Sequence, residues 1–210
     1  MFRRASLLIF GFVLCSASCK EGATETTIEP FDFPLSIGST WTYATYDSVW
    51  TNPGSSFLSL VRDTVEVKIV GTTSLSNGIP ATLWRYKYTN RAETLAVART
   101  SDTVVFYSYT HDPMFIFPLK VGSAWGRQYV DTFTVTSQTL ISLPSSLGAI
   151  IAYTAFTVDQ QSLLPNDFSF FRYWLVPKVG IVRQVRQTFV TVASTKSKTS
   201  WELLSYSVVD

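Results

Sequence analysis

From Phe33 onward, apolar residues recur at every second position rather than every third or fourth. Thr64-Val65-Glu66-Val67-Lys68-Ile69 alternates strictly, with Val65, Val67 and Ile69 on one face. Leu83 to Tyr88 sets Trp84, Tyr86 and Tyr88 on one side and Arg85 and Lys87 on the other. Thr132-Phe133-Thr134-Val135-Thr136 repeats the pattern, and Tyr153 to Val158 follows it more loosely. A period of two in runs rich in Val, Thr, Tyr and Phe predicts half-buried antiparallel strands. Turn chemistry punctuates them at Asn52-Pro53-Gly54, Ser76-Asn77-Gly78-Ile79-Pro80, Ser101-Asp102, Asp112-Pro113 and Pro177-Lys178-Val179-Gly180. No stretch carries a long helical period; a turn or two of helix is expected near Leu163 to Phe170. The pattern therefore predicts an all-β protein of roughly ten strands.

One segment occurs twice. Phe33-Pro34-Leu35-Ser36-Ile37-Gly38-Ser39-Thr40-Trp41 matches Phe117-Pro118-Leu119-Lys120-Val121-Gly122-Ser123-Ala124-Trp125, with six of nine positions identical and Ile37/Val121 conservative. Each reads as an elbow: Pro stiffens the approach, Gly permits a tight bend, and Trp opens a strand by packing inward. A doubled ligand loop is the alternative, but Gly and aromatic positions serve packing more often than binding. The elbows divide residues 32–210, read as a single domain, into expected related halves, 33–116 and 117–210.

Ahead of that domain lies a different kind of sequence. Arg3 and Arg4 form a short positive region, and Leu7 to Leu14 an uncharged apolar run of about 8 residues, against the ~20 a membrane-crossing helix needs. Cys15-Ser16-Ala17-Ser18 then leads into Cys19. Residues 1–18 read as a secretory signal peptide, and Ser16-Ala17-Ser18-Cys19 resembles the bacterial lipobox at Ala17, Ser18 and Cys19, departing from it at Ser16, where an aliphatic residue is usual. The resemblance implies lipid attachment at Cys19; plain secretion with Cys19 as a bystander is the competing reading. The chain has 2 Cys, and losing the signal leaves Cys19 alone. A lone thiol exported into an oxidising space is a liability that acylation removes, and two or three acyl chains hold durably where one is marginal. Residues 19–31 then form the lipidated cysteine and a polar, Thr/Glu-rich tether. Lys20-Glu21, with no Asp after the cysteine, points to the outer membrane.

The elbow segment Pro34 to Tyr43 (Pro-Leu-x-x-Gly-x-x-Trp-x-Tyr) is similar to one in uncharacterised envelope lipoproteins of Gram-negative bacteria. So are a Gly-x-Val hairpin, here Val179-Gly180-Ile181-Val182-Arg183, and a last strand, here Trp201 to Tyr206. That resemblance implies a curved antiparallel sheet or half-barrel akin to periplasmic lipoprotein carriers. It implies no activity, because the shared positions are structural.

Charge narrows the partners. Of 17 Lys and Arg, Arg3 and Arg4 leave with the signal, and the remaining 15 balance 15 Asp and Glu. A neutral mature chain lacks the basic footprint of a nucleic-acid binder. Chemistry is sparse. The lone histidine, His111, sits beside Asp112-Pro113 in an expected loop, and no Gly-x-Ser-x-Gly elbow presents a serine to it. One His and one lipid-committed Cys make a metal site unexpected, and no phosphate loop or dinucleotide fingerprint implies a cofactor. Carboxylate pairs meet only in the fold, but Glu66, Glu93 and Glu202 are the only Glu in the domain.

Two features could carry binding. The stripe Trp84, Tyr86 and Tyr88 is either core or a platform for a sugar or lipid. Phe168 to Ser200 contains Arg172, Lys178, Arg183, Arg186, Lys196 and Lys198 and no acid, a segment suited to anionic lipid or acidic polysaccharide or simply to solvent. Arg183 shares strand parity with Ile181, Val185 and Phe189, so it lies at a bulge or points into a partly polar cavity. The expectation is a non-enzymatic, lipid-anchored envelope protein with a binding or structural role and no cofactor. Its candidate binding residues are Trp84, Tyr86, Tyr88, Arg183, Lys196 and Lys198. Expected partners are the membrane, through the lipid, and a hydrophobic ligand, an anionic glycan or an envelope protein. A carrier of hydrophobic cargo in a half-barrel cavity is the second reading, and an envelope hydrolase the third.

Overall fold

The computed structural model describes residues 33–51, 59–106, 114–127, 131–144, 150–164, 167–190 and 195–209. Cys19, His111 and the turns at Asn52-Pro53-Gly54 and Asp112-Pro113 lie outside them. Among the described residues, twelve antiparallel strands make one sheet: β1 (Thr40–Thr51), β2 (Ser59–Ser74), β3 (Pro80–Lys87), β4 (Ala92–Thr100), β5 (Thr103–Phe106), β6 (Phe115–Ile116), β7 (Ala124–Arg127), β8 (Asp131–Pro144), β9 (Ile150–Leu164), β10 (Asp167–Val176), β11 (Gly180–Val190) and β12 (Thr195–Ser207). The order across the sheet is β6-β5-β4-β3-β2-β1-β12-β11-β10-β9-β8-β7. Two six-strand meanders thus meet at β1 and β12, and the last strands of the first and second halves of the path, β6 and β12, lie far apart in it.

That order forces curvature. Laid flat, twelve strands at ~4.8 Å spacing would put the β6 and β7 edges about 53 Å apart. Only residues 117–123 join them, and so short a link reaches about 28 Å at most. The sheet therefore curls toward a barrel. Side chains cross the interior accordingly: Phe115 on edge strand β6 meets Tyr173 on β10 edge-on, with ring centroids 5.5 Å apart. The Tyr153 and Tyr206 hydroxyls of β9 and β12, three strands apart in the sheet, share a hydrogen bond of 2.8 Å. Bulges supply part of the bend. The register slips between Ile69 and Gly71 in the β2–β3 pair, and between Val135 and Ser137 in the β8–β9 pair. It slips again at Trp174/Leu175 opposite β11 and at Thr42/Tyr43 opposite β12.

The alternating residues behave as their period predicts. Val65, Val67 and Ile69 are buried while Thr64 and Glu66 are exposed, and Phe133 and Val135 are buried on β8. The interior is filled by rings: Trp41, 1 % exposed, stacks on Trp84 at 5.1 Å, and Phe33 stacks on the other side at 5.7 Å. Stacks of this kind add about 0.5–1.5 kcal/mol each beyond burial. The indole N–H of Trp41 donates to the Val179 carbonyl at 2.7 Å, and the Tyr43 hydroxyl to the Ile181 carbonyl at 2.6 Å. These bonds tie β1 to the start of β11 over the intervening β12.

Both elbows make the same backbone bonds at the bend, although the Phe117-Pro118 peptide is cis and the Phe33-Pro34 peptide is not. Gly38 N–H donates to the Ile69 carbonyl at 2.9 Å, Ser39 N–H to Ser36 at 3.2 Å, and Ile69 N–H to the Ser39 carbonyl at 3.0 Å. Gly122, Ser123, Lys120 and Val135 make the same three bonds at 2.8, 2.9 and 2.9 Å. Gly38 and Gly122 take φ of 97° and 89°, a region in which a Cβ is strained. In each case the bulge follows immediately after the paired residue, Ile69 or Val135.

The helical turn expected near Leu163 to Phe170 is not formed. β9 continues to Leu164 and β10 starts at Asp167, with Phe168 paired to Leu163 and Phe170 to Gln161. Their rows of ladder bonds continue the neighbouring strands, which outweighs a weak local preference. No helix occurs among the described residues.

Candidate functional site

The concave face changes character along its length, and the register shows it row by row. The ring-filled part gives way to a row of Asp63, Thr45, Trp201, Gln184, Tyr173 and Val158 across β2, β1, β12, β11, β10 and β9. The next row is Asp47, Thr199, Arg186, Phe171, Gln160 and Phe133. The last is Val49, Ser197, Thr188, Ser169, Ser162 and Asp131. Hydrophobic packing thus grades into hydroxyls, amides and charge toward one open end of the curl, here termed the mouth.

Several polar side chains there are partnered. Gln160, 8 % exposed, accepts from the Tyr173 hydroxyl at 3.2 Å and donates to Asp131 at 3.3 Å. Arg186 lies over the Phe171 ring at 5.1 Å and donates to the Thr188 hydroxyl at 3.3 Å, which the Ser169 hydroxyl also reaches at 3.3 Å. Arg186 as a residue is nonetheless exposed. Trp201 anchors an aromatic cluster, 5.6 Å from Tyr43 and 6.2 Å from both Tyr86 and Tyr88. The cluster is rimmed by Arg91 over Tyr88 at 4.3 Å and by Glu93, which accepts from the Tyr88 hydroxyl at 2.9 Å. Asp63 accepts from the Thr89 hydroxyl and, at 2.7 Å, from the Thr64 amide. Those donors favour its ionised form and hold its carboxyl below the usual range.

The sheet separates the residues singled out by sequence. Trp84, Tyr86 and Tyr88 are on the concave side; Trp84 is closed between Trp41 and Phe33, whereas Tyr86 and Tyr88 are half-buried beside Trp201. Arg183, Lys196 and Lys198 are on the convex side. Arg183 is at a bulge: Trp174 pairs with Arg183 and Leu175 with Ile181, leaving Val182 as the extra residue. Ile181 and Val182 pack against the core while Arg183 stays outside, 3.3 Å from Glu202 and over the Trp174 ring at 4.9 Å. Also on this face, Arg172 grips Asp159 through two bonds of 2.7 Å. Trp201, Gln184, Thr199 and Asp47 were not singled out from sequence. Their signal, polar and aromatic residues at the inward parity of β1, β11 and β12, becomes readable only once the bulges set which parity is inward. Among the described residues, no group of three or more His, Cys, Asp or Glu is placed to hold a metal ion.

These features define the class: a single-sheet antiparallel β protein, curled nearly to closure over a ring-packed interior, with a polar mouth. No family model matches the chain, and no curated protein does. Among solved structures, it is similar to a "putative exported protein with YmcC-like fold" from Bacteroides fragilis, at TM-score 0.47 and 10% identity over 85% of this chain and 100% of that one. A "putative lipoprotein" from Parabacteroides distasonis follows at TM-score 0.35 and 13% identity, over 85% of this chain and 99% of that one. A protein with unknown function from Nostoc punctiforme gives TM-score 0.34 and 9% identity, over 82% of this chain and 50% of that one.

Proposed function

We propose that this is a lipid-anchored protein of the bacterial outer membrane that binds, without chemistry, an acidic glycan in its concave mouth. The anchor rests on the sequence from Arg3 to Cys19. The binding role is carried by one observation, the graded concave face. There, half-buried Trp201 offers a ring for sugar C–H groups. Gln184, Thr199 and Asp47 lie in its own and the next row for hydroxyls, and exposed Arg186 is suited to a carboxylate.

The non-enzymatic part is supported by how the carboxylates are used. Glu93, Asp63, Asp131, Asp159 and Glu202 each hold a neighbouring donor, which suits them to architecture rather than proton transfer. The carrier reading is less favoured because Trp84, which would face cargo, is stacked within the interior. Titration of the unlipidated mature chain with polygalacturonate and with dextran tests the glycan. The acidic polymer should bind more tightly, and Arg186→Gln should weaken it about tenfold or more while leaving dextran unchanged. Equal affinity for both polymers, or no response to Arg186→Gln, would sink the assignment.

A further inference from the structure

The convex face at the mouth end carries a second surface, built differently from the first. Trp50, Lys196, Phe189 and Phe168 lie in one continuous cross-strand row over β1, β12, β11 and β10. The row beside it is Ser48, Lys198, Gln187 and Phe170. Phe168 and Phe189 are 40 % and 37 % exposed, and Lys196 is exposed between Phe189 and Trp50. Among the described residues, these two rows contain no acid. The nearest carboxylate on this face, Asp159 in the row beyond, is held by Arg172 through both its oxygens.

Exposed rings interleaved with ammonium groups and cleared of acids suit the boundary of an anionic bilayer. There aromatic rings sit at headgroup depth while lysines reach lipid phosphates. A large apolar partner protein would instead favour fewer lysines at the centre of the patch. We infer that this row docks the domain, convex side down, on the anionic lipid surface to which Cys19 tethers it. The inference rests on the lipid-anchor reading, and the tether makes it geometrically feasible. From Cys19 to Phe33 the chain spans up to about 49 Å when extended, whereas β1 is about 37 Å long. The anchor enters at the opposite end of β1 from the patch, yet both reach one membrane plane. Docked this way, the concave mouth faces away from the bilayer and stays open to a polymer.

The test uses the mature chain carrying Cys19→Ser, so that its outcome is independent of lipidation. Vesicle co-sedimentation compares pure phosphatidylcholine with phosphatidylethanolamine containing phosphatidylglycerol. Binding to the anionic vesicles alone is expected, falling as salt is raised. Lys196→Gln with Lys198→Gln should lower the partition coefficient roughly thirtyfold at low salt, and Phe168→Ser with Phe189→Ser should also reduce it. The lysine pair lies on the surface, so its result does not depend on folding losses. Absence of binding to anionic vesicles, or binding that neither pair alters, overturns the inference. So does a concentration-dependent dimer abolished by the phenylalanine pair, which would make the patch an interface between copies. Mass spectrometry of the wild-type N-terminus reports the anchor separately.

Discussion

Tyr43 and Tyr206 show how much a single phenol contributes when it faces inward. Tyr43 is buried and donates to the Ile181 carbonyl, and burial pushes its phenol well above the ordinary tyrosine range. Tyr206 is pushed up to about 12 by burial and by the Tyr153 hydroxyl. Both folded values exceed the unfolded value near 10, so the stability each contributes is complete below about pH 10 and is lost as pH climbs through the folded value. Unfolding midpoints measured between about pH 9 and pH 12 should therefore fall, and Tyr43→Phe and Tyr206→Phe should each flatten that fall. Identical slopes in wild type and variants would show that neither phenol is held neutral by the fold. At this scale the sequence was partly legible. The alternation of Trp84, Tyr86 and Tyr88 revealed their shared face, but nothing in it could show that Trp201, 113 positions after Tyr88, completes the cluster.

Turn and bulge decide matters at the scale of the element. The matching elbows were readable because their Pro, Gly and Trp serve local backbone needs, which short sequence can encode. Both Gly38 and Gly122 adopt positive φ; a Cβ at Gly38 would meet only the Val209 side chain at 3.5 Å, and one at Gly122 nothing within 4 Å. The penalty of Gly→Ala is then conformational at both sites, about 1–2 kcal/mol each. Chemical denaturation should give similar losses for the two variants. A neutral Gly122→Ala would remove the second elbow from the fold's requirements and weaken the proposal that residues 33–116 and 117–210 are related halves. A bulge was legible at Arg183 only as one of two readings, the other being a partly polar cavity. Arg183 shares parity with Ile181 in sequence, yet the extra residue Val182 turns Ile181 to the core and leaves Arg183 with Glu202. The expected helix near Leu163 failed for the complementary reason: a ladder partner on each side recruits the segment as strand.

Closure belongs to the whole molecule. The short link between β6 and β7 compels the sheet to curl, and curling makes one face an interior and the other a surface. It also puts the Thr40 end of β1 and the mouth at opposite poles. If Cys19 carries lipid, mass spectrometry of the mature protein from cells should find an acylated N-terminal cysteine, and Cys19→Ala should move the protein from the membrane to the soluble fraction. An unmodified N-terminus or unchanged fractionation would remove the anchor and, with it, the tether argument for membrane docking.

By itself the sequence determined what depends on local chemistry: an all-β chain, most of its turns and two matching elbows. Period-two alternation and Gly-Pro turns are short-range physics, so they can be read in order along the chain. The tertiary structure alone decided that β1 lies beside β12, that the edges curl together, and which parity of each strand faces in. Those outcomes arise from pairings between residues as distant as Thr40 and Ser207, where closure and bulges select one arrangement among many with the same local pattern. The site follows from that selection. Trp201, Gln184 and Arg186 share the mouth, while Lys196 and Lys198, adjacent in sequence to inward residues, share the opposite face with Phe168 and Phe189.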